Sequence, residues 1–268
     1  MPEGQAFLYV ALFAAIRQFI GRFKSSNPTW IKKAGDDSDR IPVSRSDVEI
    51  AFAQCALSMK EWLLQRAEIS SDAKAHIEIA SSDHLPIPNE SVDLILSSPP
   101  YCTRLDYAVA TFPELAVLGA TWKTDIRDLR SKMIGTPTIC QVENNPTLGS
   151  LCEDFLDYVY NHPSKASASY YFKTYNQYFK RMYNSVREIS RVTKRHGVCV
   201  LVVQDSFYKE RQVRLPQILI EIFESFGFEL STEQQFVAGR SLTSINPSSA
   251  SYSFDRRCPE SVLFLQKR

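Results

Sequence analysis

Glycine is scarce and scattered in this chain. Nine occur in 268 residues, Gly4, Gly21, Gly35, Gly119, Gly135, Gly149, Gly197, Gly227 and Gly239. No two lie close enough to form a loop in which bare backbone approaches a nucleotide or cofactor. The six cysteines, Cys55, Cys102, Cys140, Cys152, Cys199 and Cys258, are equally dispersed, with no Cys-x-x-Cys and no histidines at ligand spacing. That argues against a zinc site and a disulfide framework, and fits a reducing cytoplasm. Excess charge is also lacking: the formal net charge is +1, so any nucleic-acid surface must be local. The longest apolar run, Phe7 to Ile16, is too short to span a bilayer and is followed by Arg17. Glu3 stands where a signal peptide would be basic, so the run reads as a buried helix continuing through Phe19, Ile20 and Phe23. No membrane or targeting segment is expected.

What is present is the composition of a soluble globular protein, 44% hydrophobic and 23% charged. Residues 24–46 are polar and broken by Pro28, Gly35 and Pro42, which marks a loop. Ser46 and Asp47 then offer an N-cap for a helix carrying Val48, Ile50, Ala51, Phe52, Leu57, Trp62 and Leu63. The first 75 residues thus form a helical region without a clear strand. From His76 the texture changes. His76-Ile77-Glu78-Ile79-Ala80 alternates as a strand does, and Val92-Asp93-Leu94-Ile95-Leu96-Ser97 is a short apolar run suited to a buried parallel strand. Residues 105–165 lack clean periodicity and read as an insertion. A long aromatic helix is expected over 170–195, stopped by Gly197. Val198 to Val203 is the strongest strand, central and covered on both faces. A helix at about 213–226, a strand from Phe228 to Val237 and a last strand over Ser261–Leu265 complete the order. Alternating strands and helices from residue 76 onward predict an α/β doubly wound sheet.

The chemistry concentrates in Ser97-Ser98-Pro99-Pro100-Tyr101. A strand ends there in small hydroxyl residues and two prolines, whose fixed φ and missing N–H make a stiff turn. In parallel α/β sheets ligands bind outside the carboxyl ends of the strands. Ser98 and the Pro99 carbonyl can accept hydrogens from an exocyclic amino group, a poor nucleophile, and stabilise positive charge developing on it. Tyr101 offers a flat face on which a base taken out of a duplex can stack. A bare Pro-Pro-Tyr is also a WW-domain ligand, but that use needs an exposed, disordered setting, and here an apolar strand precedes it.

The segment resembles the catalytic motif of the amino-group DNA methyltransferases, and Ser before Pro-Pro-Tyr looks like the cytosine-N4 type; the adenine-N6 type more often has Asp or Asn there. The likeness extends to Leu85-Pro86 through Val92–Ile95, to Arg195-His196-Gly197 into Val198–Val203 (where the commoner Lys-Pro-Gly is altered), and to Glu260–Phe264. It covers residues 76–268. It implies a class I methyltransferase-like α/β domain with an insertion at about 105–165, an S-adenosylmethionine cofactor and a double-stranded DNA substrate. The family's Phe-x-Gly-x-Gly cofactor loop has no counterpart here, nor has the acidic residue that would hold the ribose. The sheet is therefore expected to be incomplete, lacking its first two strands. A split enzyme, in which a second chain supplies them, is favoured over a degraded relative or a fragment, because the catalytic segment is intact.

The resemblance also nominates Asp83 and Ser97 as cofactor contacts, although Asp83 equally suits a turn cap before Pro86. Arg104, Asp106 and Tyr107 follow the motif and are candidates for the base pocket, against a salt-bridged loop. Gln204 and Asp205 end the central strand at the same rim as Ser98, against an ordinary strand-end turn. Lys123, Arg127, Arg130 and Lys132 form a basic cluster suited to phosphates, but Asp125 and Asp128 interleave as on a solvated helix face. Asn27, Trp30, Lys32 and Lys33 read better as a loop packing its Trp than as a DNA contact. Three functions compete: a DNA methyltransferase subunit (cytosine-N4, or adenine-N6), an RNA base methyltransferase, and a non-catalytic DNA-binding or scaffold subunit.

Overall fold

The computed structural model describes residues 3–23, 31–32, 35–66, 74–103, 106–140, 142, 145–236 and 258–268. The chain divides into two compact units, residues 1–78 with 107–127, and residues 79–106 with 128–268.

The first unit is helical. Helices α1 (Glu3–Phe19) and α2 (Arg45–Arg66) pack on each other, and short helices α3 (Tyr107–Ala110) and α4 (Phe112–Val117) join them. Ala11 and Ala15 are fully buried. Arg17 ties α1 to α4 through the Glu114 carboxylate at 2.5 and 2.7 Å and the Ala110 carbonyl at 2.6 Å. Leu8 and Val10 remain half exposed, so the helix expected to be buried is buried on one face only. Ser44, not Ser46 or Asp47, caps α2: its hydroxyl accepts from the Asp47 N–H, and the Asp47 carboxylate accepts from the Ser44 N–H, a reciprocal capping pair.

The second unit carries a four-stranded sheet in the order β1 (Val92–Ser97), β2 (Thr193–Gln204), β6 (Glu260–Lys267), β5 (Phe228–Phe236), with a small hairpin of β3 (Ser206–Tyr208) and β4 (Arg211–Val213). β1 runs parallel to β2, and β6 is antiparallel to both β2 and β5. Helix α5 spans Arg127–Lys132, α6 Ser150–Asn161, α7 Phe172–Val192 and α8 Leu215–Ser225. Inward residues of α6, α7 and α8 (Phe155, Phe179, Val186, Ile218, Ile222, Phe223) form one cluster with Cys199, Leu201 and Val203 of β2 and Leu263 and Leu265 of β6. Period-2 alternation on the strands and a 3.6-residue stripe on α7 generate this core. At the start of α6, Gly149 has φ +93°, and a side chain there would meet the Glu221 carboxylate. That carboxylate accepts from Ser150 Oγ at 2.9 Å and the Leu151 N–H at 3.0 Å, capping α6 from α8.

Four expectations need correction. Residues 76–80 form no strand: Ile77 and Ile79 are fully exposed, because an alternating segment becomes a strand only where another strand offers its N–H and C=O groups. β1 is parallel as expected but is an edge strand, with Leu94 61% and Leu96 73% exposed. β2 is central in order, yet only its Cys199, Leu201, Val203 face is fully covered; Val198, Val200 and Val202 are half-buried. Gly197 does not stop a helix. α7 ends at Val192, its last turn braced by Lys267 Nζ donating to the Ser190 and Thr193 carbonyls. Gly197 lies inside β2, where the pairing with β1 slips between Val92 and Leu94, and a Cβ there would sit 3.1 Å from the Val92 oxygen.

The entry to β1 is clamped by Arg191 of α7. Its guanidinium donates to the carbonyls of Leu85 and Ile87, to Asn89 Oδ1, and to the nearly buried Glu188 carboxylate, which also accepts from the Leu85 N–H at 3.0 Å. The hydrogen bonds from Arg191 hold Glu188 down at about 2 against a usual 4.5. A carboxyl lowered in this way stabilises the fold above about pH 4.5, and the contribution is lost as pH falls toward 2. Thermal melts should therefore decline through that window, and Glu188→Gln should flatten the decline. Glu188→Ala should cost on the order of 1 kcal/mol at neutral pH, for the orphaned Leu85 N–H.

Candidate active site

Parallel pairing places the carboxyl ends of β1 and β2 at one rim. Ser97 is in register with Leu201, so Gln204 and Asp205 emerge at the level of the turn that follows Ser97. Glu260, the first residue of β6, pairs with Gln204 and joins the same rim.

The Ser-Pro-Pro-Tyr turn is held there from three elements. Tyr178 of α7 donates its hydroxyl to the Pro100 carbonyl at 2.6 Å. Tyr101 donates to Glu260 Oε1 at 2.8 Å. Ser206 of β3 donates to the Cys102 carbonyl at 3.1 Å. The Thr103 N–H closes on the Tyr101 carbonyl at 2.7 Å. Two prolines fix φ, and these tethers fix the rest, so the turn is pre-organised. Ser98 is exposed, and its hydroxyl has no partner among the described residues, while Ser97 and Tyr101 are half-buried. Thr103 Oγ1 is buried and has no hydrogen-bond partner among the described residues. Sequence reasoning missed Tyr178, Ser206 and Glu260, since their roles arise from tertiary contact.

The other candidates occupy definite places. Gln204 is buried and donates to the Cys258 carbonyl at 2.9 Å. Asp205 accepts from Gln212 Nε2 and from the Leu215 N–H that opens α8, and burial raises its carboxyl above the ordinary value despite these bonds. Asp106, 2% exposed, forms an ion pair with Arg130 at 2.6 Å, so the charge of Arg130 is met within the chain. Tyr107 opens α3, and burial raises its phenol. Arg127 opens α5, and the Lys132 ammonium meets Asp128 at 2.6 Å. Asp125 accepts from the Thr121 N–H and hydroxyl, which lower its carboxyl. Arg104, Asn27, Trp30 and Lys33 lie outside the described residues, as does the side chain of Lys123; of Lys32, the N–H donates to the Phe23 carbonyl.

Asp83 is set apart from the rim. It sits in a tight turn bridged from Ser81 to His84 and accepts from Ser81 Oγ at 2.5 Å. Its neighbour Ser82 meets Ser185 at 2.8 Å, seven residues down α7 from Tyr178, or roughly 10 Å along the helix axis at 1.5 Å per residue.

A parallel strand ending in a tethered Ser-Pro-Pro-Tyr turn, on an α/β sheet closed by an antiparallel strand, forms the rim of the candidate site. The N6/N4 methylase family, described as DNA methylase, matches residues 92–255, and the chain belongs to that family. No curated protein matches the chain. Among solved structures it is similar to a protein of Thermus thermophilus assigned as a DNA modification methylase, at 16% identity and TM-score 0.31, over 68% of this chain and 47% of that one. It is also similar to the cyclase SpnF, at 12% identity and TM-score 0.33, over 84% of this chain and 63% of the other. The chain thus spans less than two thirds of either structure.

The Tyr101–Glu260 bond gives a local test. Tyr101→Phe and Glu260→Ala should each destabilise by about 1 kcal/mol, and the double variant should lose no more than either alone, because both remove one interaction. Chemical denaturation of the four proteins measures the cycle.

Proposed function

We propose that this chain is the catalytic part of a DNA methyltransferase that modifies an exocyclic amino group, with cytosine N4 the favoured acceptor. The observation that carries the reading is the tethered turn at the end of β1, which leaves the Ser98 hydroxyl free at the rim and sets Tyr101 beside it in sequence. Ser98 Oγ and the Pro99 carbonyl accept the amino hydrogens and face the charge that develops on nitrogen. Tyr101 supplies the stacking surface for the extruded base. Gln204, Asp205, Arg104, Asp106 and Tyr107 are assigned to the surroundings of the base and Lys123 and Arg127 to the DNA; Arg130 acts through Asp106.

S-adenosylmethionine, the expected cofactor, supplies an electrophilic methyl group. The residues of this chain do not fit it alone: its glycines form no loop, and the strand expected before Asp83 is unpaired. Ser97, at the rim, is the better supported contact and Asp83 the weaker. We assign the rest of the cofactor site to a second chain whose strand pairs with the open edge of β1 and covers Leu94 and Leu96, 61% and 73% exposed.

Calorimetric titration of S-adenosylmethionine should show no binding to this chain alone and binding to its complex with a chain bearing a glycine-rich loop. Tight binding to the isolated chain would overturn the division of labour. In the complex, Ser98→Ala and Tyr101→Ala should each lower methyl transfer at least ~100-fold. Duplexes lacking cytosine or adenine acceptors separate N4 from N6 transfer, and a single-stranded RNA tests the RNA reading. Unchanged function in both variants would support a scaffold role.

A further inference from the structure

Below the rim, the second half of α7 faces residues 81–83 and Ser131, Lys132, Ile134 and Cys140 across a cavity of about 520 Å³, of whose lining the methyl-transfer reading uses only Asp83. Its charged walls are Lys132, Arg181, Arg187 and Asp83, and its neutral polar walls include Ser82 and Asn184. Arg181 is half-buried, and its guanidinium donates to the Met133 and Ser131 carbonyls, both at 2.6 Å. Those acceptors are neutral. They fix the fork without cancelling its charge, and no carboxylate meets it among the described residues. Arg187 is exposed and makes no hydrogen bond or ion pair among them. Lys132 is matched by Asp128, and Asp83 is engaged by Ser81. Counting Lys132, Arg181 and Arg187 against Asp83 and Asp128 leaves a net charge of +1.

A partly buried guanidinium held in place by carbonyls and a second guanidinium on the same helix match the demands of a tetrahedral oxyanion. Arginine forks bind phosphate oxygens in pairs. The volume lies within the range of small-ligand sites.

We propose that this cavity is a phosphate-binding site. The phosphate is either a phosphodiester of the DNA substrate or a free phosphate or nucleotide. Only the first source rests on the methyltransferase reading.

The test uses the full chain, without cofactor or partner, so it does not depend on methyl transfer. Arg187→Glu is the informative variant, since Arg187 is exposed and holds no other element; Arg187→Lys should restore part of any loss. Binding of a fluorescent 20-base-pair duplex is measured against salt, and inorganic phosphate and adenosine monophosphate are titrated calorimetrically. If the ligand is DNA, Arg187→Glu should weaken the duplex about tenfold and lower the salt slope by about one. If the ligand is a free phosphate, the small anions should bind the wild type and not Arg187→Glu, with duplex affinity unaltered. Wild-type and Arg187→Glu proteins that agree in every titration would overturn the proposal and leave the methyltransferase assignment standing.

Discussion

The site depends on the parallel pairing of β1 with β2. β1 is a six-residue strand with one neighbour, and its carboxyl end carries the residues that matter. One ladder would leave such a strand free to fray. Two clamps prevent it. At the entry, Arg191 and Glu188 of α7 hold residues 85–89, and the Glu90 and Ser91 N–H groups donate to the carbonyls of Arg191 and Val192. At the exit, Tyr178 of the same helix holds the Pro100 carbonyl. α7 therefore grips β1 at both ends, and the stretch from Tyr178 to Arg191, roughly 20 Å at 1.5 Å per residue, sets the distance between the grips. The slip at Gly197 belongs to the same device, because the local shift in pairing lets β2 stay in register with Leu94 to Ser97 after it leaves α7.

The same strand pair also exposes an imbalance. The face of the sheet toward α6, α7 and α8 is packed to completion. The other face carries side chains of the same chemistry, Leu94, Leu96, Val198, Val200, Val202, Val262 and Phe264, under partial or no cover. Full burial of a leucine side chain contributes about 1.5–3 kcal/mol. Leu94 and Leu96 alone thus leave several kcal/mol unrealised, beside a row of backbone groups with no strand partner among the described residues. Ile77 and Ile79 are uncovered as well. A folded monomer rarely presents an apolar edge of this kind without a use for it, and the second chain proposed above would put this edge to use.

The sequence made the packed half legible and the open half misleading, for one reason. Period and composition report what a segment is suited to, and suitability equals structure only when a neighbour is present. β5, β6 and α8 fell within a few residues of their expected bounds because each has its packing partner in the chain. His76–Ala80 has the alternation of a strand and stays unpaired. Val92–Ser97 has the composition of a buried strand and lies at an edge. The Ser-Pro-Pro-Tyr turn was legible since its signature is local, two prolines after a strand. Its tethers were not: Tyr178, Glu260 and Ser206 lie 78, 159 and 104 residues from the groups they hold. Gly197 was read as a helix stop because a glycine after a basic turn is the usual signal, whereas here it is needed where β2 runs close to the Val92 carbonyl.

Three arginines hold backbone carbonyls among the described residues, and their comparison separates structural from available charge. Arg17 holds the Ala110 carbonyl and meets Glu114. Arg191 holds the Leu85 and Ile87 carbonyls and meets Glu188. In both, the carbonyl contacts orient the guanidinium and a carboxylate balances it, so the cost of partial burial is offset inside the chain. Arg181 has the first feature without the second: two carbonyls orient it, and a cavity lies where the others have a carboxylate. If its role were to pin residues 131–133 alone, a neutral donor would satisfy those carbonyls without the desolvation cost of a cation. The retained charge is explained when the cavity receives an anion, as proposed above.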